Sequence, residues 1–266
     1  MRITMLLEND AAEGSGLAAE HGLSLHIEAD GRRILFDTGQ SDAFARNAET
    51  LGIDLSAVDI AFVSHGHYDH TGGIARFLEL NDHAPVYVHR EAFGQHLHKD
   101  GRNIGMPAEL AGNPRIVLTD GSLRIDDELS LNSFNGEARP FPSHGEGLLM
   151  MCEGQPVQDE FRHEQYLSIR EAGSGRHVVI SGCSHKGVLN ILGWTEPDVL
   201  IGGFHFMGLD PQGAGREELE RAAQALAGHK AVCWTCHCTG KKPFDWLKER
   251  LGDRLHYLAG GMSIEI

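Results

Sequence analysis

The stretch AFVSHGHYDHTGG, residues 61 to 73, places His65, His67, Asp69 and His70 directly after a short apolar run. Residues 65 and 67 point to the same side of an extended chain, so the HxH pair can offer two imidazoles to one ion. Imidazole nitrogens and a carboxylate suit Zn²⁺, and Mn²⁺ and Fe also accept them. A polar loop with chance histidines would explain one histidine better than this cluster. The stretch therefore predicts a metal site at a strand end.

Strand-like and helix-like segments alternate on both sides of this cluster. In the first half, the apolar pattern predicts a hairpin over 23–39 around a DG turn, a helix capped by Ser41 or Asp42 and stopped by Gly52, a strand over 59–64, a short helix after 73 and a strand over 85–89. In the second half, it predicts a hairpin over 166–182, a strand over 197–205, a helix over 216–228 and a strand over 231–236. Each half resembles a sheet with helices outside, which predicts two sheets packed face to face between helical layers.

Three predicted strands end in histidine, in HGHYDH, GGFH and CHCTG. The stretch over about 90–145 is different, because it is rich in Gly, Pro, Asn and His and has only weak strand patterns at RIVLTD and SLRID. Such a stretch is typical of a surface loop or an active-site cover. We expect it to lie over the site.

The composition indicates one globular domain over residues 1–266, since 41% of the residues are hydrophobic and 23% are charged. The formal net charge of −15 repels nucleic acid backbones and anionic membrane surfaces, so neither is an expected partner. An anionic small-molecule substrate remains open, because bound metal ions can reverse the sign of the local field.

The apolar segment at the N-terminus, from Ile3 to Leu7, is too short for a signal peptide, and no stretch is long enough to span a membrane. The five cysteines are an odd number, and we expect a reduced, cytoplasmic protein. CWTC at 233–236 is a single CxxC without a second pair, so it does not predict a structural zinc site.

SHGHYDHTGG resembles the HxHxDH motif of the metallo-β-lactamase superfamily, and FDTG at 36–39 resembles its upstream strand-end aspartate. The resemblance implies an α/β fold, a four-layer αβ/βα sandwich, with one or two divalent ions where the sheets meet. AEHGLSLHIE, EQYL, SGCSHKGVLNIL, IGGFHF and CHCTG are similar to one branch of that superfamily. The branch is named for an archaeal dihydropterin ribofuranosylaminobenzene phosphate synthase, and its many bacterial members carry generic hydrolase names.

The superfamily pattern assigns roles to the matching positions. It implies that His65 and His67 bind a first metal, and that Asp69, His70 and His237 bind a second. Asp37 could be a simple turn residue before Gly39, but the resemblance implies that it stands behind the ligands and orients them.

Two positions depart from the pattern. Cys183 stands where the superfamily has a bridging aspartate, and it is either a thiolate ligand or a small buried residue. For the missing third ligand of the first metal, His185 is preferred over His163 and Glu164, which lie where that ligand usually originates. Glu164 is otherwise expected to support the ligands from behind.

His205 in GGFH ends a strand at the same edge, so we expect it to contact substrate or donate a proton, although a supporting role fits nearly as well. The other histidines, among them His89, His96 and His144, have no motif context and are expected to be surface or structural.

The expected activity is hydrolysis of a small phosphate-containing or ester-like molecule by metal-activated water, with Asp69 orienting or deprotonating the nucleophile. The ions are expected to be Zn²⁺, with Mn²⁺ or Fe as alternatives. The resemblance also implies a second reaction, in which a pterin methyl diphosphate is joined to an aryl amine and diphosphate departs. An iron redox enzyme is less favoured, because di-iron relatives carry an acid at the position of His67 and no flavin domain is appended. A metal-dependent binding protein is disfavoured by the completeness of the motifs, and the resemblance leaves room for a homodimer.

Overall fold

The computed structural model describes residues 1–266. The strands are β1 (Arg2–Leu7), β2 (Ser24–Ala29), β3 (Arg32–Phe36), β4 (Ile60–Phe62), β5 (Val86–His89), β6 (His96–His98), β7 (Ile116–Thr119), β8 (Leu123–Arg124), β9 (Leu129–Asn132), β10 (Leu148–Cys152), β11 (Gln155–Gln158), β12 (Tyr166–Arg170), β13 (His177–Ile180), β14 (Val199–Ile201), β15 (Val232–Thr235), β16 (Leu255–Tyr257) and β17 (Ser263–Glu265). The helices are α1 (Ala43–Thr50), α2 (Tyr68–Thr71), α3 (Ile74–Leu80), α4 (Val188–Thr195), α5 (Arg216–Gly228) and α6 (Lys241–Leu251).

Two seven-stranded sheets form the centre of the molecule. Their strand orders are β17-β1-β2-β3-β4-β5-β7 and β16-β15-β14-β13-β12-β9-β8. In each sheet, antiparallel strands at one side give way to parallel strands at the other, and the parallel connections carry the helices. The predicted alternation of strands and helices is therefore present in both halves.

The apolar side chains sort into layers. Ile34 and Phe36 of β3 point into a central cluster of 21 buried residues that both sheets share, whereas Leu35 points outward under α1 and α3. Leu35 belongs to an outer cluster on the first sheet. On the second sheet, another outer cluster of 18 buried residues lies between the sheet and α4, α5 and α6. The parallel strands β4 and β14 are covered on both faces and are apolar on both sides, whereas β2 and β9 alternate apolar with polar residues. The layers are helix, sheet, sheet and helix, as the sequence predicted.

The hairpins are where the sequence placed them. β2 and β3 are joined by Asp30 and Gly31, which have φ of 49° and 80°, the backbone required by a two-residue hairpin turn. β12 and β13 form the second hairpin. Strand β1 was not predicted; it pairs with β2 on one side and with β17 on the other.

The stretch over 90–145, which the sequence predicts to be a cover, also contributes strands to both large sheets. β7 belongs to the first sheet, and β8 and β9 belong to the second, so this stretch also carries the chain between the sheets. The strands were hard to recognise because each is four residues or shorter. Beside the large sheets lies a small sheet of β11, β10 and β6, whose last strand ends at Gln158. Ile104 contacts the histidine loop through its carbonyl, which accepts a hydrogen bond from the N–H of Tyr68 at 2.8 Å.

None of the helices is long and apolar enough to cross a membrane. The cytoplasmic location stays a prediction. Cys233 lies in the outer cluster of the second sheet, and Cys236 lies in the central cluster on the opposite face of that sheet. The CWTC thiols therefore do not converge on one point.

Candidate metal centre

The carboxyl ends of the parallel strands of both sheets meet at one edge, and the motif residues follow those strand ends. This is the edge at which open α/β sheets hold their ligands. Three groups of buried side chains lie here, each with its potential ligand atoms within 4.8 Å of one another. The first group is His65, His67 and His185; the second group is Asp69, His70, Cys183 and His237; the third group is His67, His96, Asp159 and His163.

In the first group, Nε2 of His65 lies 3.0 Å from Nδ1 of His67. The Ser64 hydroxyl donates to Asp37 at 2.7 Å, so its oxygen accepts the Nδ1 proton of His65 at 2.9 Å. The proton of this neutral ring is therefore on Nδ1, and Nε2 presents a lone pair to its neighbour. The pKa values of His65 and His67 lie well below the usual range, and burial is the largest cause.

His185 completes the first group from the second sheet. Its Nδ1 donates to the backbone carbonyl of His144 at 3.0 Å, which leaves the lone pair on Nε2. That Nε2 atom is buried and has no hydrogen-bond partner. A buried ring nitrogen without a partner is costly unless something binds it, so this arrangement fits a metal ion.

In the second group, Nδ1 of His70 donates to Asp37 at 2.7 Å, and its Nε2 lies 3.2 Å from Sγ of Cys183. Burial lowers the pKa of His70, but Asp69 and Asp37 outweigh it and raise that pKa. Burial also raises the pKa of the Cys183 thiol well above its usual value. A cation bound here would displace the thiol proton of Cys183 and any proton on Nε2 of His70, because a metal favours the deprotonated forms of its ligands.

His237 reaches the second group from the end of β15. Its Nδ1 donates to Oδ1 of Asn9 at 2.7 Å, and its buried Nε2 lies 3.3 Å from Oδ2 of Asp69. Burial would raise the pKa of Asp69, but His70 first, and then the neighbouring His21 and His237, hold it well below the usual range. Asp69 is thus a carboxylate at neutral pH.

The family model of the metallo-beta-lactamase superfamily matches residues 19–153, which include the whole of HxHxDH. The chain belongs to the metallo-β-lactamase superfamily. A curated relative, the 7,8-dihydropterin-6-methyl-4-(β-D-ribofuranosyl)-aminobenzene-5′-phosphate synthase of Methanocaldococcus jannaschii, is 28% identical, and the match covers 100% of this chain and 96% of the relative.

Solved structures show the same fold. A crystal structure described as a metal-dependent hydrolase of the β-lactamase superfamily has a TM-score of 0.83 and 29% identity, over 100% of this chain and 99% of that one. Zn²⁺-bound PqqB from Methylobacterium extorquens has a TM-score of 0.60 at 13% identity, over 100% of both chains, and so supports the fold alone. The expected four-layer fold of the superfamily is confirmed.

Several residues at this edge of the two sheets have backbone conformations that non-glycine residues usually avoid. Asp37, Ser184, His205 and His237 have φ between 48° and 58°, although none is a glycine. Each such residue costs about 1–3 kcal/mol, and proteins retain this strain mainly at functional sites. These backbone conformations turn the chain sharply where it leaves each strand.

The competing candidates for the third ligand are both occupied. The N–H of Gly66 donates to Nδ1 of His163 at 2.9 Å, so the proton of His163 is on Nε2 and the ring has no free lone pair. Glu164 accepts from the N–H groups of His185 and Lys186 at 2.7 and 3.0 Å. The structure therefore brings His185, and neither of these two residues, into the first group.

His205 lies next to the first group, with its ring centroid 4.4 Å from that of His185. Burial, then His185, holds the pKa of His205 well below its usual value. The ring is neutral at neutral pH, which favours hydrogen bonding to substrate over the supply of a proton.

Four residues of this region escaped the sequence analysis. Asn9 orients His237, and His21 places its Nε2 3.2 Å from Oδ2 of Asp69. His96, expected to be surface or structural, is buried with its Nδ1 2.7 Å from Oδ2 of Asp159. Only His21 had a sequence indication, its place in AEHGLSLHIE; the others have no motif.

Proposed function

We propose that the protein is a metal-dependent hydrolase that cleaves a small phosphate-containing or ester-like substrate with water. The convergence of ring nitrogens supports this most directly, and in His65, His185, His70 and His237 the other ring nitrogen is hydrogen-bonded. His65, His67 and His185 would hold one divalent ion, and the second group, Cys183 included, would hold another. Imidazole, carboxylate and thiolate together suit Zn²⁺, with Mn²⁺ or Fe as alternatives.

Bound ions of this kind lower the pKa of water to roughly 7 and polarise a phosphoryl or carbonyl oxygen. Asp69, ionised at neutral pH, accepts a hydrogen bond from the attacking water and orients it. Its Oδ2 is itself held by Nε2 of His21 at 3.2 Å. His205, which follows β14 of the second sheet, donates a hydrogen bond to the substrate.

A transferase is the second candidate, because the Methanocaldococcus jannaschii relative that matches the whole chain is named a synthase. In that reaction the ions held by the same side chains would bind the diphosphate of the pterin substrate and assist its departure, and an aryl amine would replace water as the nucleophile. The role of Asp69 would then be to accept a proton from the amine.

The test combines metal analysis with a substrate panel. Protein purified without added metal should contain at least about one transition-metal ion per chain. Phosphodiesters, phosphomonoesters, lactones and a pterin diphosphate with and without an aryl amine are then assayed. Asp69→Asn should abolish turnover, whereas Asp82→Asn, which changes a fully exposed side chain, should leave it intact.

Each outcome separates the candidates. Hydrolysis that depends on Asp69 supports the proposal, and amine-dependent product without hydrolysis selects the transferase. A protein that neither contains nor takes up Zn²⁺, Mn²⁺ or Fe²⁺ contradicts both, and oxygen consumption with bound iron replaces both by a redox enzyme.

A further inference from the structure

A buried carboxylate stands behind the first group. Asp159 precedes β12, and its Oδ1 accepts the N–H of Phe161 at 2.7 Å while its Oδ2 lies 2.7 Å from Nδ1 of His96. Asp159 and His96 are 3% and 1% exposed, so this pair lies out of reach of solvent. A carboxylate fixed in this way is a rigid acceptor for further ring N–H groups.

One connection from Asp159 to the HxH loop passes through His163. Because Nδ1 of His163 accepts the N–H of Gly66, the proton on Nε2 faces Oδ2 of Asp159 at 3.4 Å. Gly66 lies between His65 and His67, and a Cβ there would come within 2.4 Å of the Ala92 carbonyl oxygen. The loop is therefore tightly packed, and His163 holds its central amide.

The second connection is through His67 itself. If Nδ1 of His67 faces an ion shared with His65, the ring proton must be on Nε2, and that buried nitrogen has no hydrogen-bond partner. His67 and Asp159 belong to the third group, whose atoms lie within 4.8 Å of one another, and Asp159 is its one carboxylate. A small closure on metal binding would bring this N–H to the acceptor.

We propose that Asp159 is a positioning residue for the first ion, acting on His67 directly and on the HxH loop through His163. The proposal rests on the metal-binding part of the proposed function. It differs from a third metal site, because the proton on Nε2 of His163 prevents that ring from serving as a ligand. Removing an outer carboxylate of this kind typically weakens metal binding 10- to 100-fold.

The test measures the two metal affinities separately in the full chain, by chelator competition with Zn²⁺ and by visible spectra with Co²⁺. Asp159→Asn should weaken the first ion roughly 10- to 100-fold and change its Co²⁺ spectrum, while the second ion is unaffected. Asp159→Glu should recover part of the affinity. The matched control is Asp127→Asn, because Asp127 is exposed.

His163→Ala tests the route through the loop, and it should weaken the same ion. Because the two residues act in series, the double variant should lose less than the product of the two single losses. Thermal melting of the metal-free variants reports separately on the fold, and a site-selective loss is expected even where melting is lowered.

Equal weakening of both ions, or affinities like those of the wild type, would overturn the inference while leaving the proposed function intact. A third metal equivalent in the wild type that Asp159→Asn alone removes would also overturn it, in favour of a separate site. If the wild type binds no metal, the proposed function itself fails.

Discussion

Oε1 of Glu164 accepts a hydrogen bond from the backbone N–H of His185 at 2.7 Å, and both residues are buried. Oε2 accepts from the next amide, Lys186, and from the Tyr166 hydroxyl. Burial would raise the pKa of Glu164, but His185 and Lys186 outweigh it and lower that pKa, so the group is ionised. The carboxylate therefore fixes the backbone that carries a proposed ligand.

Replacing Glu164 should disturb the first ion without removing a ligand. In Glu164→Gln, one acceptor oxygen becomes an amide donor that opposes a backbone N–H. We expect roughly 10- to 100-fold weaker binding of the first ion, measured by chelator competition. Glu160→Gln, at an exposed position, is the control. Unchanged affinity in Glu164→Gln would show that the His185 turn holds its shape alone.

Cys183 should be a sulfur ligand of the second ion. With Co²⁺ bound, a thiolate ligand gives a sulfur-to-cobalt charge-transfer band in the near ultraviolet, and Cys183→Ser should lose it. Cys152→Ser should retain the band, because Cys152 is exposed. A band that survives in Cys183→Ser would mean that Cys183 is only a small buried neighbour of the site.

His205 should act on substrate rather than on the metals. In His205→Asn we expect kcat/KM to fall about 10- to 100-fold, the equivalent of one hydrogen bond to a charged oxygen, with metal content unchanged. His83→Asn, at an exposed position, is the control. Loss of metal in His205→Asn would instead identify a residue that supports the ligands.

His89 should make metal-free protein less stable in acid. Burial lowers the pKa of His89 to about 4, below the value of about 6.5 for an unfolded chain. Protonation therefore favours the unfolded chain, and the contribution of His89 is complete above pH ~6.5 and lost as the pH falls toward 4. His89→Asn keeps an acceptor for the N–H of Glu91 but does not titrate.

The measurement for His89 is the free energy of unfolding by denaturant, with a chelator present, from pH 7 to pH 4. The wild type should lose up to about 1.4 kcal/mol per pH unit more than His89→Asn in this window. Parallel pH curves for the two proteins would show that His89 becomes protonated without cost in the folded state.

The sequence predicted what is local along the chain. The HxHxDH side chains that we propose as ligands lie within six residues, and the hairpins are set by turns between adjacent strands, so pattern and spacing were sufficient to place both. The hydrogen-bonded pairs around these side chains join distant positions: Asn9 and His237 are 228 positions apart, and His96 and Asp159 are 63 apart. Packing of the two large sheets brings Asn9 to His237, and the small sheet of β11, β10 and β6 brings His96 to Asp159. No short motif records either arrangement.

The choice of third ligand shows the same limit. His163, Glu164 and His185 have similar ligand chemistry, and the sequence could rank them only by resemblance. What separates them is which backbone N–H or carbonyl each side chain meets, and that depends on how the turn after β13 faces the segment before β12. Hydrogen-bond direction, rather than residue type, distinguishes ligand from support.

Pairing between β1 and β17 sets an order of events during synthesis. Thr4 and Ser263, cross-strand neighbours joined by a 2.8 Å hydrogen bond, are 259 positions apart. A ribosome thus exposes β1 long before its outer neighbour is made, and one edge of β1 stays open to intermolecular pairing through most of translation. We expect chains truncated before Ser263 to aggregate more than full-length chains, and comparing their soluble fractions would test this.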